Sequence, residues 1–523
     1  MEVMAAATAS RTASALAWLS GAVAGLAGLA TAELLSWILT PLGDPLSAVS
    51  EFVIGLLPGG LINFGKDTLK FADKPVLLII VAVIAVLITA ISGRLEYARS
   101  WAGMIGAVVL AGFAIIAIGT RPDAGFSAFP PVIIGMFVAY PLLRILIARV
   151  RSATAPSQLE PAPQPDRANT DRRNFLITSS VIGVVSILVG TGTRALASGR
   201  SMALKARSLV QLPKPATPAP PVPAGAELKI SGLTPYVTAD SVFYRVDTAF
   251  QVPVVDPETW SLTITGMVDH QVTITWKELL ALPLLEHYVT LTCVSNEVGG
   301  GLAGNARWLG YPVRELLKRA GPHSTADMVL SKSVDGFTVS TPLAALTDPN
   351  RDAIIAIGMN GQPLPAEHGF PARMVVPGLY GYVSATKWIR SLKVTTYEQD
   401  QGYWTPLGWS SHGPIKLASR IDTPTTSVKP GKVPVAGVAW AQHTGISKVE
   451  VRVDKQPWRT ARLADTVGPD TWRQWVWIWD AEPGDHTLTV RATDSKGRLQ
   501  TSVQAPPAPN GATGWDSRRI SVR

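Results

Sequence analysis

The 523-residue sequence predicts a multi-domain protein with three folded parts: an N-terminal α-helical transmembrane region, an α+β domain and a C-terminal β-sandwich. Three observations support this division. Long apolar runs are confined to about the first 200 residues, a proline-rich segment follows them, and short strand patterns fill the rest. We expect the transmembrane region at 1–198, the linker at 199–227, the α+β domain at 228–424 and the sandwich at 425–523.

Five apolar runs predict five transmembrane helices, because a helix needs about 20 mostly apolar residues to cross a bilayer. They cover residues 15–39, 75–93, 101–119, 129–148 and 175–196. The apolar segment 51–64 is short and broken by Gly and Pro, so we expect an interfacial or re-entrant piece.

Charge in the loops predicts the orientation of these helices. Arginines concentrate at 94–99 and 144–173, whereas Lys66, Lys70 and Lys74 argue for the opposite orientation. The larger cluster before the fifth run places the N-terminus in the cytoplasm and everything after Leu196 outside.

The sequence TDRRNFL at 170–176 is similar to a twin-arginine export signal, here internal. Ordinary positive-inside anchoring is the alternative, since any arginine pair would provide it. We expect the fifth helix to be retained, with cleavage near 195–197 as the less favoured outcome.

Strand and helix patterns alternate in the α+β domain. The predicted strands are 260–264, 272–276, 287–291, 337–340 and 353–357, and the predicted helices are 277–282 and 313–320. Beyond Pro424, strand patterns at 433–440, 447–453, 458–463, 472–479 and 486–493 predict an immunoglobulin-like sandwich of about 100 residues. We expect the tryptophans of 472–479 in its core.

Cys293 is the only cysteine, so the chain contains no internal disulfide. It follows an apolar, β-branched run and precedes a polar turn and three glycines at 299–301. A thiolate at a strand end beside a glycine-rich loop can face a soft metal without steric obstruction. The alternative is a buried cysteine that acts as a small hydrophobic side chain.

Several short motifs follow one another from about residue 241 to the C-terminus. They are Phe243-Tyr-Arg245 with Pro253–Pro257, Leu291-Thr-Cys-x-x-Asn296, Trp308-x-Gly310 with Val313-x-x-Leu316-Leu317, and the run 359–373 with Val376-Pro-Gly378 and Lys387-Trp388. In this order they resemble the sulfite oxidase family of molybdopterin oxidoreductases. The resemblance implies a molybdenum–molybdopterin cofactor and oxygen-atom transfer to or from a small-molecule substrate.

The resemblance also implies site residues. Cys293 would ligate molybdenum. The cofactor-binding residues would be His368, Arg373, Lys387, Gly378 and Ser384. The catalytic pocket would contain Arg245, Asn296, Glu297 and Tyr380 beside Cys293. The alternative for Arg245 is a buried ion pair with Asp247.

Two positions depart from the family pattern. Val246-Asp247 stands where the family typically has Asn-His, and Glu297 stands where sulfite oxidases usually have arginine. A carboxylate beside the pocket would repel sulfite. We therefore expect a neutral or cationic substrate such as a sulfoxide or an N-oxide.

The positions of the histidines, the family resemblance and the net charge allow expectations about cofactors and partners. All seven histidines lie beyond Leu196, so we expect no haem and a separate electron-transfer protein or quinone-linked partner. By resemblance the sandwich would mediate homodimers. The net charge of +9 comes without a long Lys/Arg cluster, so nucleic acid is not an expected partner. The alternative function is a non-enzymatic surface scaffold or binding protein that retains the fold.

Overall fold

The structure is a computed structural model that describes residues 2–40, 43–57, 73–121, 124–154, 165–197, 206–249 and 252–523. The chain divides into two compact units, Met1–Gly199 and Arg200–Arg523.

Six helices form the described part of the first unit. They are α1 (Glu2–Leu39), α2 (Pro45–Leu56), α3 (Asp73–Ala98), α4 (Ala102–Gly119), α5 (Pro130–Thr154) and α6 (Pro165–Ala197). Among the described residues, five stretches are long and apolar enough to cross a membrane: Thr12–Leu39, Lys74–Ala98, Ala102–Gly119, Phe126–Ser152 and Arg173–Thr193. Helix α1 packs against α3, α5 and α6. A Cβ on Gly21 would lie 2.1 Å from the Thr89 carbonyl oxygen, so glycine permits the close approach of α1 and α3.

Two sequence predictions fall partly outside the described residues. Of the predicted interfacial piece, residues 51–56 belong to α2, whereas residues 58–64 are not described. The arginine pair at 172–173 lies within the backbone of α6, but only the side chain of Arg173 is described.

One mixed sheet and one antiparallel sheet form the first part of the second unit. Their strands are β1 (Ser261–Gly266), β2 (Val272–Thr275), β3 (Leu285–Thr292), β4 (Ala303–Pro312), β5 (Met328–Ser333), β6 (Thr338–Pro342), β7 (Ile354–Met359), β8 (Gln362–Pro363), β9 (Arg373–Val375) and β10 (Ile389–Thr395). The orders are β2-β1-β10-β5-β6 and β3-β4-β7-β8, with β9 also paired to β7. Three short helices accompany them: α7 (Trp276–Ala281), α8 (Val313–Ala320) and α9 (Leu343–Thr347).

Two antiparallel sheets with one shared apolar core form the rest of this unit. Their strands are β11 (Ala418–Thr423), β12 (Gly431–Trp440), β13 (Ile446–Val453), β14 (Arg459–Thr460), β15 (Arg462–Leu463), β16 (Arg473–Ala481), β17 (Gly484–Asp494) and β18 (Asp516–Val522). The orders are β11-β12-β16-β15 and β14-β13-β17-β18. Side chains alternate along β16, which buries Trp475 and Trp479 and exposes Ile478. The prediction that the tryptophans pack in this core is confirmed for Trp475 and Trp479.

The proline-rich segment that the sequence predicts as a linker is part of the second unit and is hydrogen-bonded next to the start of β3. The Ala216 N–H donates to the Leu284 carbonyl oxygen, and the Glu286 N–H donates to that of Thr217, each at 2.8 Å. Ala226 is fully buried. The segment stays extended because its prolines fix φ, and its remaining N–H groups can pair with the edge of β3.

Loops of the C-terminal sheets cover the same edge of β3 further along. The Thr290 N–H donates to the Asp470 carbonyl oxygen at 2.9 Å. The Trp472 N–H donates to the Thr290 hydroxyl at 2.8 Å. Gln442 Nε2 donates to the Thr290 carbonyl oxygen at 3.0 Å and to the Thr292 hydroxyl at 2.9 Å. Strand β3, which ends at Thr292, is therefore hydrogen-bonded along both edges, to β4 on one and to these segments on the other.

We predict that Trp475→Ala lowers the free energy of unfolding by about 3–5 kcal/mol, because it leaves a large cavity in the shared core. Ile478→Ala on the same strand is the matched control and costs less than about 1 kcal/mol, since Ile478 is 54% exposed. Denaturant unfolding of the full chain in detergent measures both. Equal costs for the two variants would contradict this account of the core.

Candidate cofactor site

Cys293 follows β3 as a buried thiol that forms no disulfide. Its N–H donates to the Leu302 carbonyl oxygen at 2.9 Å, and its carbonyl oxygen accepts from the Asn296 N–H at 3.1 Å. Asn296 Oδ1 accepts from the Leu302 N–H at 2.7 Å. The Asn296 side chain thus closes the loop that begins at Cys293, which is a positioning role.

Two tyrosines flank Cys293. Burial raises the pKa of Tyr380 to about 12, and Cys293 shifts it in the same direction. The Tyr380 hydroxyl accepts from the Lys416 N–H at 3.4 Å. Desolvation also raises the pKa of Tyr244; Cys293 contributes to this increase and Arg373 opposes it. Tyr244 therefore lies near both the thiol and Arg373, a position that the sequence analysis missed although the residue is adjacent to Arg245.

The structure brings His368, Arg373 and Lys387 together. Arg373 donates from Nη1 to the His368 carbonyl oxygen at 3.2 Å and from Nη2 to that of Ala385 at 3.3 Å. Lys387 Nζ donates to the Glu367 carbonyl oxygen at 3.0 Å. Gly369 has φ +110°, and a Cβ there would lie 3.1 Å from Lys387 Cα. Only glycine therefore allows this close approach without strain.

Burial determines the charge of this group. It lowers the pKa of Arg373 to about 10 and that of Lys387 to about 8, so both remain cations at neutral pH. It lowers the pKa of His368 to about 3, so this ring is neutral. His368 Nε2 lies 3.3 Å from the Asp240 carbonyl oxygen, to which the neutral ring can donate.

Arg245 lies near these cations. It forms the ion pair with Asp247 that the sequence offered as its alternative role. Arg245 Nε donates to Asp247 Oδ2 at 2.9 Å, and Lys387 Nζ donates to the same oxygen at 3.0 Å. The side chain of Arg245 is 43% exposed, whereas that of Asp247 is 6% exposed. One buried carboxylate oxygen therefore bridges two cations.

Ser384 and Gly378 shape the turn that carries Tyr380. The Ser384 hydroxyl donates to the Tyr380 carbonyl oxygen at 2.9 Å, and its N–H donates to that of Gly381 at 3.3 Å. Gly378 has φ +81°, and a Cβ there would lie 2.9 Å from Arg351 Nη1. Both donors of Ser384 are thus used inside the turn.

A narrow cavity opens beside the Cys293 loop. Its lining includes Thr292, Asn296, Glu297, Tyr380, Ser419, Trp440 and Gln500. Among the described residues that line it, Glu297 carries the only charge. Arg420 lies behind the loop, where Nη1 donates to the Gly300 carbonyl oxygen at 2.7 Å and Nε donates to Asp422 at 2.6 Å.

The donor set fits a soft-metal cofactor that carries a phosphate. The Cys293 thiol is the soft ligand, and buried cations are phosphate partners. Tyr244 lies near both Cys293 and Arg373, so the thiol and the cations belong to one region of the fold. A Cβ on Gly381 would lie 3.9 Å from the Thr292 carbonyl oxygen and 4.0 Å from the Tyr244 hydroxyl, so the backbone is also close here.

Comparison with known proteins identifies the same region. The family model for the oxidoreductase molybdopterin binding domain matches residues 249–404. Mitochondrial sulfite oxidase from Rattus norvegicus is 28% identical over 325 residues, covering 52% of this chain and 58% of the relative. Sulfite oxidase from Arabidopsis thaliana is 28% identical over 345 residues, covering 53% of this chain and 86% of the relative. This chain therefore spans little more than half of the rat relative.

One solved structure is also similar to this chain. The sulfane dehydrogenase SoxCD from Paracoccus pantotrophus has 22% sequence identity and a TM-score of 0.48. The alignment covers 55% of this chain and 84% of that chain.

We predict that the cofactor-free protein loses stability as the pH falls from 6.5 toward about 3. The pKa of His368 is depressed in the folded state, so the unfolded chain takes up a proton in this window that the folded chain does not. Thermal unfolding against pH measures the effect. His368→Gln should reduce the number of protons taken up on unfolding in this pH window by up to one. His270→Gln, which changes an exposed histidine, should leave that number unchanged. An unchanged pH dependence in His368→Gln would contradict the prediction.

Proposed function

Because this chain belongs to the sulfite oxidase family of molybdenum-dependent oxidoreductases, we propose that it transfers an oxygen atom in a two-electron reaction at a molybdenum–molybdopterin cofactor. One observation carries the proposal: Tyr244 lies near both the buried thiol of Cys293 and the buried cation Arg373, which lies near Lys387. The bound cofactor supplies the oxygen-transfer and electron-transfer chemistry.

The chain's own residues bind and orient this cofactor in the proposal. Cys293 provides the thiolate ligand, held by the hydrogen bonds that close its loop at Asn296. Arg373 and Lys387 hold the phosphate as cations, and His368 faces it as a neutral ring. The turn stabilised by Ser384 holds Tyr380 beside the thiol.

The cavity supports a neutral or cationic substrate of the sulfoxide or N-oxide type over sulfite. Glu297 is the charged residue of the described lining, and a carboxylate repels an anionic substrate. Tyr380 stays protonated at neutral pH, so its hydroxyl can donate a hydrogen bond to a substrate oxygen. Reduction of a sulfoxide consumes two electrons and two protons and releases a sulfide and water.

The electrons come from a separate partner, an electron-transfer protein or a quinone-linked membrane protein. Five apolar helices support anchoring in the cell membrane. The arginines at 144–173, ahead of the apolar part of α6, support an external position for the second unit and export of a folded domain. The two four-stranded sheets with a shared core support an immunoglobulin-like sandwich. Its role in homodimers is proposed from the family resemblance alone.

We predict about one molybdenum per chain in protein purified from a host that makes molybdopterin. Elemental mass spectrometry measures the metal. Cys293→Ser should abolish sulfoxide reduction, because the hydroxyl is a poor soft-metal ligand, while the unfolding midpoint stays near that of the wild type. Absence of molybdenum from the wild-type protein would contradict the proposed function and favour a scaffold role.

We predict that Glu297→Arg raises kcat/KM for sulfite by about tenfold, which corresponds to about 1.4 kcal/mol of Coulomb energy. The same variant should lower the rate with a cationic substrate. Glu297→Gln is the matched control. Its kcat/KM for sulfite should lie between those of the wild type and Glu297→Arg, since it removes the charge without reversing it. Steady-state kinetics with both substrate classes tests this, and an unchanged sulfite kcat/KM in Glu297→Arg would show that the residue does not select the substrate.

A further inference from the structure

Asp247 occupies an unusual position for a carboxylate. Its Oδ2 atom accepts from Lys387 Nζ at 3.0 Å and from Arg245 Nε at 2.9 Å, and its side chain is only 6% exposed. The cations that it joins belong to the group proposed to hold the cofactor's phosphate. A negative charge therefore lies where an anion is expected to bind.

The bridge has a clear electrostatic consequence. Lys387 is 11% exposed, and a buried ammonium without an opposite charge is strongly disfavoured. Asp247 opposes the fall in the pKa of Lys387 that burial causes. Without another anion, the carboxylate thus keeps the lysine protonated and inside the fold.

A bound phosphate would change this balance. It carries about −1.5 to −2 charges and would contact the same ammonium, so it would repel a carboxylate that stays in place. Arg245 is 43% exposed and can move into solvent together with Asp247, whereas Lys387 is enclosed. Lys387 is therefore the cation that can exchange one anion for the other.

We propose that Asp247 is an internal counter-ion that holds Lys387 in the cofactor-free protein and competes with the cofactor's phosphate for it. This inference rests on the proposed function, because it takes the cation group as the phosphate site. The carboxylate stabilises the empty site and at the same time weakens anion binding. The position is one of the two at which the sequence departs from the family pattern.

The test uses the full-length chain in detergent, purified from a host that cannot make molybdopterin, with inorganic phosphate as the probe. Phosphate-dependent thermal unfolding, at constant ionic strength set with sodium chloride, gives the half-saturating phosphate concentration. Asp247→Asn and Asp247→Ser are compared with the wild type. Asp269→Asn is the matched control, since it removes the same charge from a carboxylate that is 65% exposed and paired with His323.

Asp247→Asn should lower the half-saturating phosphate concentration about tenfold and should also lower the unfolding midpoint in the absence of phosphate. Asp269→Asn should do neither. Adding Lys387→Gln to Asp247→Asn should abolish the gain in phosphate binding, because the lysine that the carboxylate releases is then missing. Phosphate binding no tighter than in the wild type for both Asp247 variants would overturn the inference.

Failure of this inference is distinguishable from failure of the proposed function. Molybdenum in the wild-type protein from a molybdopterin-producing host, together with unchanged phosphate binding in both Asp247 variants, would refute only the counter-ion role. Absence of molybdenum would refute the proposed function, whatever the phosphate titration shows.

Discussion

The double-sided pairing of β3 is the constraint on which the site depends. One side of this strand pairs with β4, and the other side is covered first by the proline-rich segment and then by loops of the C-terminal sheets. An uncovered edge strand would leave N–H and C=O groups without partners. Cys293 follows directly after the strand, so hydrogen bonds from three separate parts of the chain set its position. The C-terminal sheets therefore help to build the thiol site as well as to line the cavity beside it.

Burial of positive charge is the second feature that organises the site. Arg373 and Lys387 are held by backbone carbonyl oxygens, which accept their N–H groups but do not neutralise them. Desolvation lowers the pKa values of both residues and leaves His368 neutral. Such a group favours an anion because the cost of desolvating the cations has already been met during folding. The same reasoning explains why Asp247 is drawn to Lys387 across 140 residues of sequence.

Local patterns in the sequence predicted many elements within a few residues. The apolar helices were recognisable because hydropathy over about 20 residues is a strong signal, and α8 has the predicted bounds because its apolar face recurs at helical spacing. Strand β4 was missed because its glycines, Asn305 and Pro312 obscure any alternation, and its position between β3 and β7 is what makes it a strand. The predicted strand 458–463 is two short strands, β14 and β15, which pair in different sheets. No local signal marks such a division.

The sequence by itself determined which chemical groups this protein carries: a single thiol, the cations at 373 and 387, the carboxylates at 247 and 297, and the apolar runs. These follow from residue identity and short-range spacing. Only the tertiary structure decided that Tyr244 lies near both Cys293 and Arg373, that Asn296 closes the loop at Cys293, and that Asp247 is shared by Arg245 and Lys387. Contacts between residues far apart in sequence depend on chain topology, and the charge state of a buried group depends on what surrounds it.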